Sequence, residues 1–182
     1  VSELHGLDTD APTWIIPGDV TKAGRIVQES RMKNGTEQRV YLSSQAAALF
    51  KEALTHCRVD DVLFPADTNR TKSGTTRRPH LNGESVTKAL ARLRDELTDE
   101  AGKRGETTTV GDITTHDMRR AIGAFLKDAG YSRDVRDLIL HHKDDSVDGI
   151  HYSAGARMEP QCRQAWQAWA DRVGKAVSDA VG

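Results

Sequence analysis

The chain has 182 residues, enough for one sizeable hydrophobic core. Hydrophobic residues make up 37% and charged residues 29%, with a formal net charge of −1, so the composition indicates an ordinary globular protein and announces no nucleic-acid partner by its total charge. The start VSELHGLDTD lacks the basic and apolar blocks of a signal peptide, and no apolar run reaches the roughly 18 residues of a membrane span, so we expect no association with a membrane.

Short β-branched or alternating runs at the start of the chain predict a small antiparallel sheet. The runs are TWIIP, RIVQES and QRVYL, and each has the length and residue types of a strand. The segment MKNGTE between the last two contains Asn34-Gly35, a dipeptide typical of hairpin turns. We therefore expect RIVQES and QRVYL to pair as a hairpin.

Apolar residues at helical spacing dominate the rest of the chain. The predicted helices are SSQAAALFKEALTHC, LNGESVTKALARLRDEL, TTHDMRRAIGAFLKDAG, YSRDVRDLILHH and a last helix from about Pro160. Their expected caps and stops are a serine before the first helix, Asn82, Thr114 or Thr115, Gly130 and Ser132. The expected buried stripes are Ala46, Leu49, Phe50 and Ala53; Val86, Leu90, Leu93 and Leu97; Met118, Ile122, Phe125, Leu126 and Ala129; and Trp166, Trp169, Val173 and Val177. The predicted class is α+β and mainly helical, with a small N-terminal antiparallel sheet and a helical bundle in one domain over residues 1–182.

The helix TTHDMRRAIGAFLKDAG carries a histidine and an arginine beside its apolar stripe. His116 and Arg119 are three residues apart, about 60° on the helix wheel. Gly123, one turn later, leaves room above the guanidinium. A guanidinium at the edge of a core suits a bidentate grip on phosphate, whereas pairing of Arg119 with an acid is the plainer interpretation.

Two further motifs follow in order, and together they resemble a known signature. HDMRR is followed by LILHH and then by a tyrosine ten residues after His142. The ordered set resembles the catalytic domain of the tyrosine recombinase (phage integrase) family, whose pattern is His-x-x-Arg, a later histidine in a Leu-Gly-His-like setting, and a nucleophilic tyrosine. The upstream TWIIP…RMKNGTEQRVYLS resembles that family's small sheet, whose hairpin carries a catalytic lysine.

The resemblance implies five catalytic residues: His116, Arg119, His142, Tyr152 and Lys33. Tyr152 would attack a DNA phosphodiester and form a 3′-phosphotyrosyl ester, which keeps the energy of the broken bond so that rejoining needs no ATP. Arginine and histidine would stabilise the phosphorane-like state without a metal. Lys33 would protonate the leaving 5′ oxygen. We expect no cofactor and no metal, consistent with a sequence that has no Gly-rich phosphate loop or acidic metal triad.

Three departures from the family's pattern leave assignments open. Tyr152 follows His142 by ten residues where nine is common, so His141 competes for the second histidine's role. An insertion-like GDVTKAGRIVQES makes Lys22 a rival to Lys33. No residue matches the family's first arginine, so we expect that arginine and an N-terminal DNA-binding domain to lie upstream of Val1.

The loop ADTNRTKSGTTRRPH is locally basic although the whole chain is not. Its cations are Arg70, Lys72, Arg77 and Arg78, which we assign to DNA phosphates; a solvated loop is the plainer interpretation. The expected partners are double-stranded DNA and, on DNA, three further copies in a homotetramer, with a monomer left open for the free protein. Cys57 and Cys162 lie far apart without metal-binding spacing, which favours a reducing intracellular location. The family resemblance implies the cytoplasm of a bacterial or phage-encoded system.

Two alternative functions remain at this stage. AIGAFLKDAGYSRDVRDLILHH is helix, turn, helix, the pattern of a DNA-binding module without chemistry. A type IB topoisomerase uses related chemistry but typically acts as a monomer. The second helix of the first alternative is mostly apolar or acidic, which argues against base contacts.

Overall fold

A computed structural model describes residues 2–22, 25–28, 35–57, 62–65, 81, 83–106, 111, 113–142 and 151–181, with 21–22, 25–28, 151–156 and 181 described in backbone only. The strands are β1 (Leu4–His5), β2 (Thr13–Ile16), β3 (Val20–Lys22), β4 (Arg25–Gln28) and β5 (Gln38–Tyr41), and the helices are α1 (Ser44–Thr55), α2 (Glu84–Lys103), α3 (Thr115–Asp128), α4 (Arg133–Leu140) and α5 (His151–Val181). The predicted class, mainly helical with a small N-terminal antiparallel sheet, is confirmed.

The chain divides into two compact units. One combines Val1–His56 with Gly123–Gly182, and the other is Cys57–Ile122. The boundary falls within α3, so the first two turns of that helix belong to the second unit and its remainder to the first.

The strands of the first unit pair differently from the predicted hairpin. The three-stranded sheet has the antiparallel order β1-β2-β5, with Trp14 opposite Val40, while β3 and β4 form a separate antiparallel pair. Gly35 lies close to Gly18 instead of turning a hairpin between the two predicted strands. The Asp19 N–H donates to the Gly35 carbonyl at 2.7 Å. A Cβ at Gly18 would lie 2.7 Å from the Glu37 nitrogen, so this close approach requires glycine.

The sheet of the first unit packs against its helices through a few buried side chains. Ile16, Tyr41 and Leu42 are buried at the sheet. The ring centroids of Trp14 and Phe50 are 6.0 Å apart in an edge-on arrangement, which joins β2 to α1.

Helix α1 begins as predicted but buries a different face. The Ser43 hydroxyl accepts a hydrogen bond from the Ala46 N–H at 3.2 Å, so the serine cap is confirmed. Ala47 is the buried residue of this helix, whereas Leu49, predicted to face the core, is 66% exposed. The prediction for Leu49 is wrong because the short α1 meets its neighbours through Ala47 and Phe50, which leaves the opposite side in solvent.

Helices α3, α4 and α5 supply the rest of the first unit's core. Their buried residues are Leu126, Val135, Ile139, Cys162 and Ala165. Gly130, with φ of +80°, ends α3 as predicted, and the Ser132 hydroxyl caps α4 by accepting from the Val135 N–H. The ring centroids of Phe125 and Trp169 are 5.3 Å apart, so the predicted apolar stripes of α3 and α5 contact each other at these residues.

Helix α5 is longer than the sequence predicted. It begins at His151, nine residues before the predicted start, and Pro160 lies inside it. Proline lacks the N–H that would bond to the carbonyl one turn earlier, which favoured a helix start at that position. The far end differs too: Val173 and Val177, expected in the buried stripe, are exposed.

The second unit is built on α2. This helix continues through the predicted connector to Lys103, and its N-cap is Gly83 without a side-chain cap, rather than Asn82, which lies outside the described residues. Val86, Leu93 and Leu97 were expected to be buried but are exposed, as is Met118 of α3. Leu81 and Phe64 are joined by a backbone hydrogen bond of 2.9 Å.

No helix in the described part of the chain is long and apolar enough to cross a membrane. Neither Cys57 nor Cys162 forms a disulfide, and burial raises the pKa of Cys162 to about 11.

Candidate active site

His116 and Arg119 lie on the first turns of α3, whose start is fixed by a reciprocal cap. The Asp117 N–H donates to the Thr114 hydroxyl oxygen at 3.3 Å, while the Asp117 carboxylate accepts from the Thr114 N–H at 3.1 Å and from its hydroxyl at 2.6 Å. This is a capping box with aspartate as its acid, and Thr114 is the cap. The cap fixes where α3 begins and therefore places His116 and Arg119 in its first two turns.

Electrostatics keep the capping carboxylate charged. Hydrogen bonds from the Thr114 hydroxyl and backbone N–H, together with Arg120 at 3.3 Å, hold the pKa of the Asp117 carboxyl below its usual range. Asp117 is thus occupied by Thr114 and Arg120. His116 and Arg119 are exposed side chains of the second unit, so packing into a core is not the role of His116.

Gly123 lies near α4. A Cβ placed there would meet Leu140 Cδ1 at 3.5 Å, which is an ordinary van der Waals contact, so packing against Leu140 does not require glycine. Its predicted role, room above the Arg119 guanidinium, stays a prediction.

The pair His141-His142 ends α4 in a strained conformation. His141 has φ of 49° and ψ of 46°, the left-handed region that glycine prefers, and it is the one non-glycine residue with positive φ in the described part of the chain. The His142 N–H donates to the Asp137 carbonyl at 3.0 Å and the His141 N–H to the Leu138 carbonyl at 3.2 Å. The left-handed backbone of His141 turns the chain sharply, and the imidazoles of His141 and His142 contact different residues.

His141 contacts the segment that follows the predicted lysine. Its Nε2 lies 3.3 Å from the Thr36 hydroxyl oxygen. Thr36 is three residues after Lys33, and His141 directly precedes His142. The fold of the first unit therefore brings the neighbourhoods of two predicted catalytic residues together, although they are more than 100 residues apart in sequence.

His142 has a carboxylate partner that the sequence analysis missed. Its Nδ1 lies 3.1 Å from Asp137 Oδ1, and Asp137 Oδ2 accepts from Arg133 Nε at 3.3 Å. The signal in the sequence was an acid five residues before the histidine. It went unused because residues five apart face each other only when the helix ends between them.

The remaining predicted residues are described in part or not at all. Tyr152 lies in the first turn of α5, described in backbone only. Lys22 ends β3 and pairs with Arg25, the first residue of β4, also in backbone only. Outside the described residues lie Lys33, Arg70, Lys72, Arg77 and Arg78.

The predicted set divides between the two units. His116 and Arg119 belong to Cys57–Ile122, while Lys33, His142 and Tyr152 belong to the other unit. Convergence of all five on one phosphate stays a prediction. Among the described residues, no cluster of histidine, cysteine or acids has the makings of a metal site.

Comparison with known proteins gives one match. The model of the phage integrase family matches residues 3–157, most of the chain. Searches of curated proteins and of solved structures found no match.

Proposed function

The chain belongs to the phage integrase family, and from this we propose that it is the catalytic domain of a site-specific DNA recombinase. It cleaves one strand of duplex DNA through a tyrosine, holds the end as a 3′-phosphotyrosyl ester, and joins that end to a new strand. The observation that carries the proposal is the contact between Thr36 and His141. It links the segment just after Lys33 to the residue just before His142, a proximity that the assigned chemistry requires.

The geometry at the end of α4 supports His142 over His141 as the second catalytic histidine. In the family's Leu-Gly-His setting the residue before the histidine is glycine, and His141 adopts the left-handed conformation that glycine favours. His141 Nε2 is moreover engaged with Thr36. We therefore align Leu140-His141-His142 with the family's Leu-Gly-His motif, with His141 in the place of the glycine.

The assigned roles follow from the chemistry of a phosphodiester. The Tyr152 phenol attacks the phosphorus and loses its proton during attack, because its reference pKa near 10 leaves it protonated at neutral pH. Arg119, His116 and His142 donate hydrogen bonds to the nonbridging oxygens, where charge grows in the transition state. Lys33 gives a proton to the departing 5′ oxygen. The reverse sequence rejoins the strand.

The partners follow from the same assignment. Double-stranded DNA is the substrate, Arg70, Lys72, Arg77 and Arg78 contact its phosphates, and four copies act on two sites. A helix-turn-helix reader is less well supported, because the polar side chains of α4 are two arginines and two aspartates, and Asp137 pairs with Arg133, which leaves little net positive charge for DNA. A recognition helix needs a free polar face for the major groove.

The test is covalent trapping with the full-length natural protein on a nicked suicide DNA duplex. We expect a protein–DNA adduct that Tyr152→Phe abolishes. The control Tyr131→Phe should retain the adduct, because Tyr131 lies in the connection between α3 and α4 and outside the proposed catalytic set. An adduct of unchanged yield in Tyr152→Phe removes the nucleophile assignment.

The same assay separates the two lysines. A substrate whose 5′ leaving group needs no protonation should restore cleavage to Lys33→Ala, whereas Lys22→Ala should cleave the ordinary substrate normally. The reverse pattern transfers the general acid to Lys22.

A further inference from the structure

Resting on the proposed function, we infer that Asp137 is a positioning residue for His142. Its carboxylate accepts a hydrogen bond from the Nδ1–H group and thereby turns Nε2 of the imidazole towards the scissile phosphate. The assignment concerns a residue outside the His-x-x-Arg, Leu-Gly-His-like and tyrosine motifs.

Two contacts tie His142 to this one residue of α4. The Asp137 carbonyl accepts from the His142 backbone N–H at 3.0 Å, and Asp137 Oδ1 lies 3.1 Å from Nδ1. The first contact fixes where the histidine's backbone lies relative to the helix end. The second fixes the rotation of its ring, so backbone and side chain are held together.

The carboxylate is itself held from its other side. Asp137 Oδ2 accepts from Arg133 Nε at 3.3 Å, one turn earlier on α4. The Asp137 side chain is 34% exposed and that of His142 is 51% exposed. Arg133 thus occupies one oxygen and leaves the other for the imidazole, in a place that DNA can reach.

The contact decides which nitrogen carries the proton. An ionised carboxylate only accepts hydrogen bonds, so the nitrogen facing it must be the donor, and a neutral imidazole has one N–H. The neutral His142 ring therefore carries its proton on Nδ1 and presents Nε2 as an acceptor. When the ring is doubly protonated, Nε2 becomes a donor suited to a nonbridging phosphate oxygen, and Asp137 balances the charge.

His142 Nε2 is unengaged within the described part of the chain, where Nδ1 has the contact with Asp137. Carboxylates hold ligand and catalytic histidines in this manner in many sites, because a hydrogen bond to one nitrogen sets both tautomer and ring direction. His141 differs, since its Nε2 faces Thr36. The two adjacent histidines thus have separate tasks, since His141 contacts Thr36 and His142 faces substrate.

The first experiment reads the tautomer directly and needs no DNA. In the chain labelled with ¹⁵N at histidine, side-chain NMR at a pH where the ring is neutral should show the Nδ1–H form for His142. Asp137→Ala should shift His142 towards the Nε2–H form, and Asp137→Asn, which keeps an acceptor oxygen, should retain Nδ1–H. Asp134→Asn is the matched control on the same helix and should change nothing. An unchanged His142 tautomer in Asp137→Ala overturns the inference.

The second experiment asks whether the orientation is used. In the suicide-substrate assay with the full-length natural protein, Asp137→Ala should lower the rate of adduct formation about tenfold or more, and Asp137→Asn should recover part of it. Far-ultraviolet circular dichroism identifies any variant that has lost its helices. Wild-type rates in Asp137→Ala, with His142→Ala impaired, overturn the positioning role.

The NMR measurement and the suicide-substrate assay test the positioning role of Asp137 and the proposed function separately. If wild-type protein forms no adduct, the proposed function fails, while the tautomer measurement still decides whether Asp137 orients His142. If the adduct forms and the tautomer ignores Asp137, the recombinase assignment stands and the positioning inference falls.

Discussion

The backbone strain of His141 and the hydrogen bond of its side chain affect stability in opposite directions. Its left-handed backbone, at φ of 49°, costs a non-glycine residue about 1 kcal/mol. In return, its side chain reaches Thr36 at 3.3 Å. An exposed hydrogen bond of this kind contributes about 0.5 kcal/mol, so the contact does not offset the strain by itself.

We therefore predict that His141→Gly raises the free energy of unfolding by about 0.5–1 kcal/mol, because glycine adopts this conformation without a Cβ clash. Urea denaturation measures the change. Thr36→Val removes the same hydrogen bond without relieving the backbone and should be slightly destabilising. A His141→Gly protein less stable than the wild type would mean that the lost side-chain contact outweighs the relieved strain.

At the scale of the element, α5 joins the predicted nucleophile to the core. Arg163 is its main anchor: its guanidinium donates to the Pro12 carbonyl at 3.1 Å, to the Thr13 hydroxyl oxygen at 3.0 Å and to Glu159 at 2.8 Å. It also lies 4.6 Å from the centre of the Tyr41 ring. Burial and the nearby Glu159 raise the pKa of Tyr41, so this ring stays neutral beneath the cation.

Arg163→Met keeps the apolar stem and removes the charge. We expect it to lower the free energy of unfolding by about 2–3 kcal/mol, because hydrogen bonds to a charged group and a cation–π contact are lost together. The matched control is Arg172→Met on the exposed stretch of the same helix, which should change stability little. Equal urea midpoints for the two variants would contradict the anchoring role.

The same anchor bears on the proposed chemistry. Tyr152 is about three turns before Arg163 on one continuous helix. A loosened α5 should therefore slow adduct formation as well as weaken the fold, whereas Arg172→Met should do neither.

At the scale of the whole molecule, the charge is nearly balanced at −1, so DNA binding must depend on where the cations lie. The basic loop concentrates four of them, and each phosphate contact contributes about 0.9 to the slope of log K against log salt concentration. Replacing Arg70, Lys72, Arg77 and Arg78 with Gln should therefore reduce that slope by roughly 3 to 4.

The control removes four exposed cations from helices instead: Lys88, Arg92, Arg172 and Lys175. It changes the net charge equally and should leave the slope near that of the wild type. Similar slopes for the two quadruple variants would show that total charge governs binding and that the loop has no special contact with phosphate.

The sequence by itself determined the helical segments, several of their ends, and the family. Local signals were enough for the helices, because a serine before α1 and Gly130 after α3 mark helix ends within a few residues. The family followed from several short motifs that occur in a fixed order. Tertiary structure alone decided that β5 pairs with β2, that Leu49 and Leu93 face solvent, and that Asp137 and Thr36 each meet a histidine. The strand pairing and the Thr36 contact join residues distant in the chain, which leave no local periodicity to read. The Asp137 contact is local in sequence, but it forms only because α4 ends between the two residues.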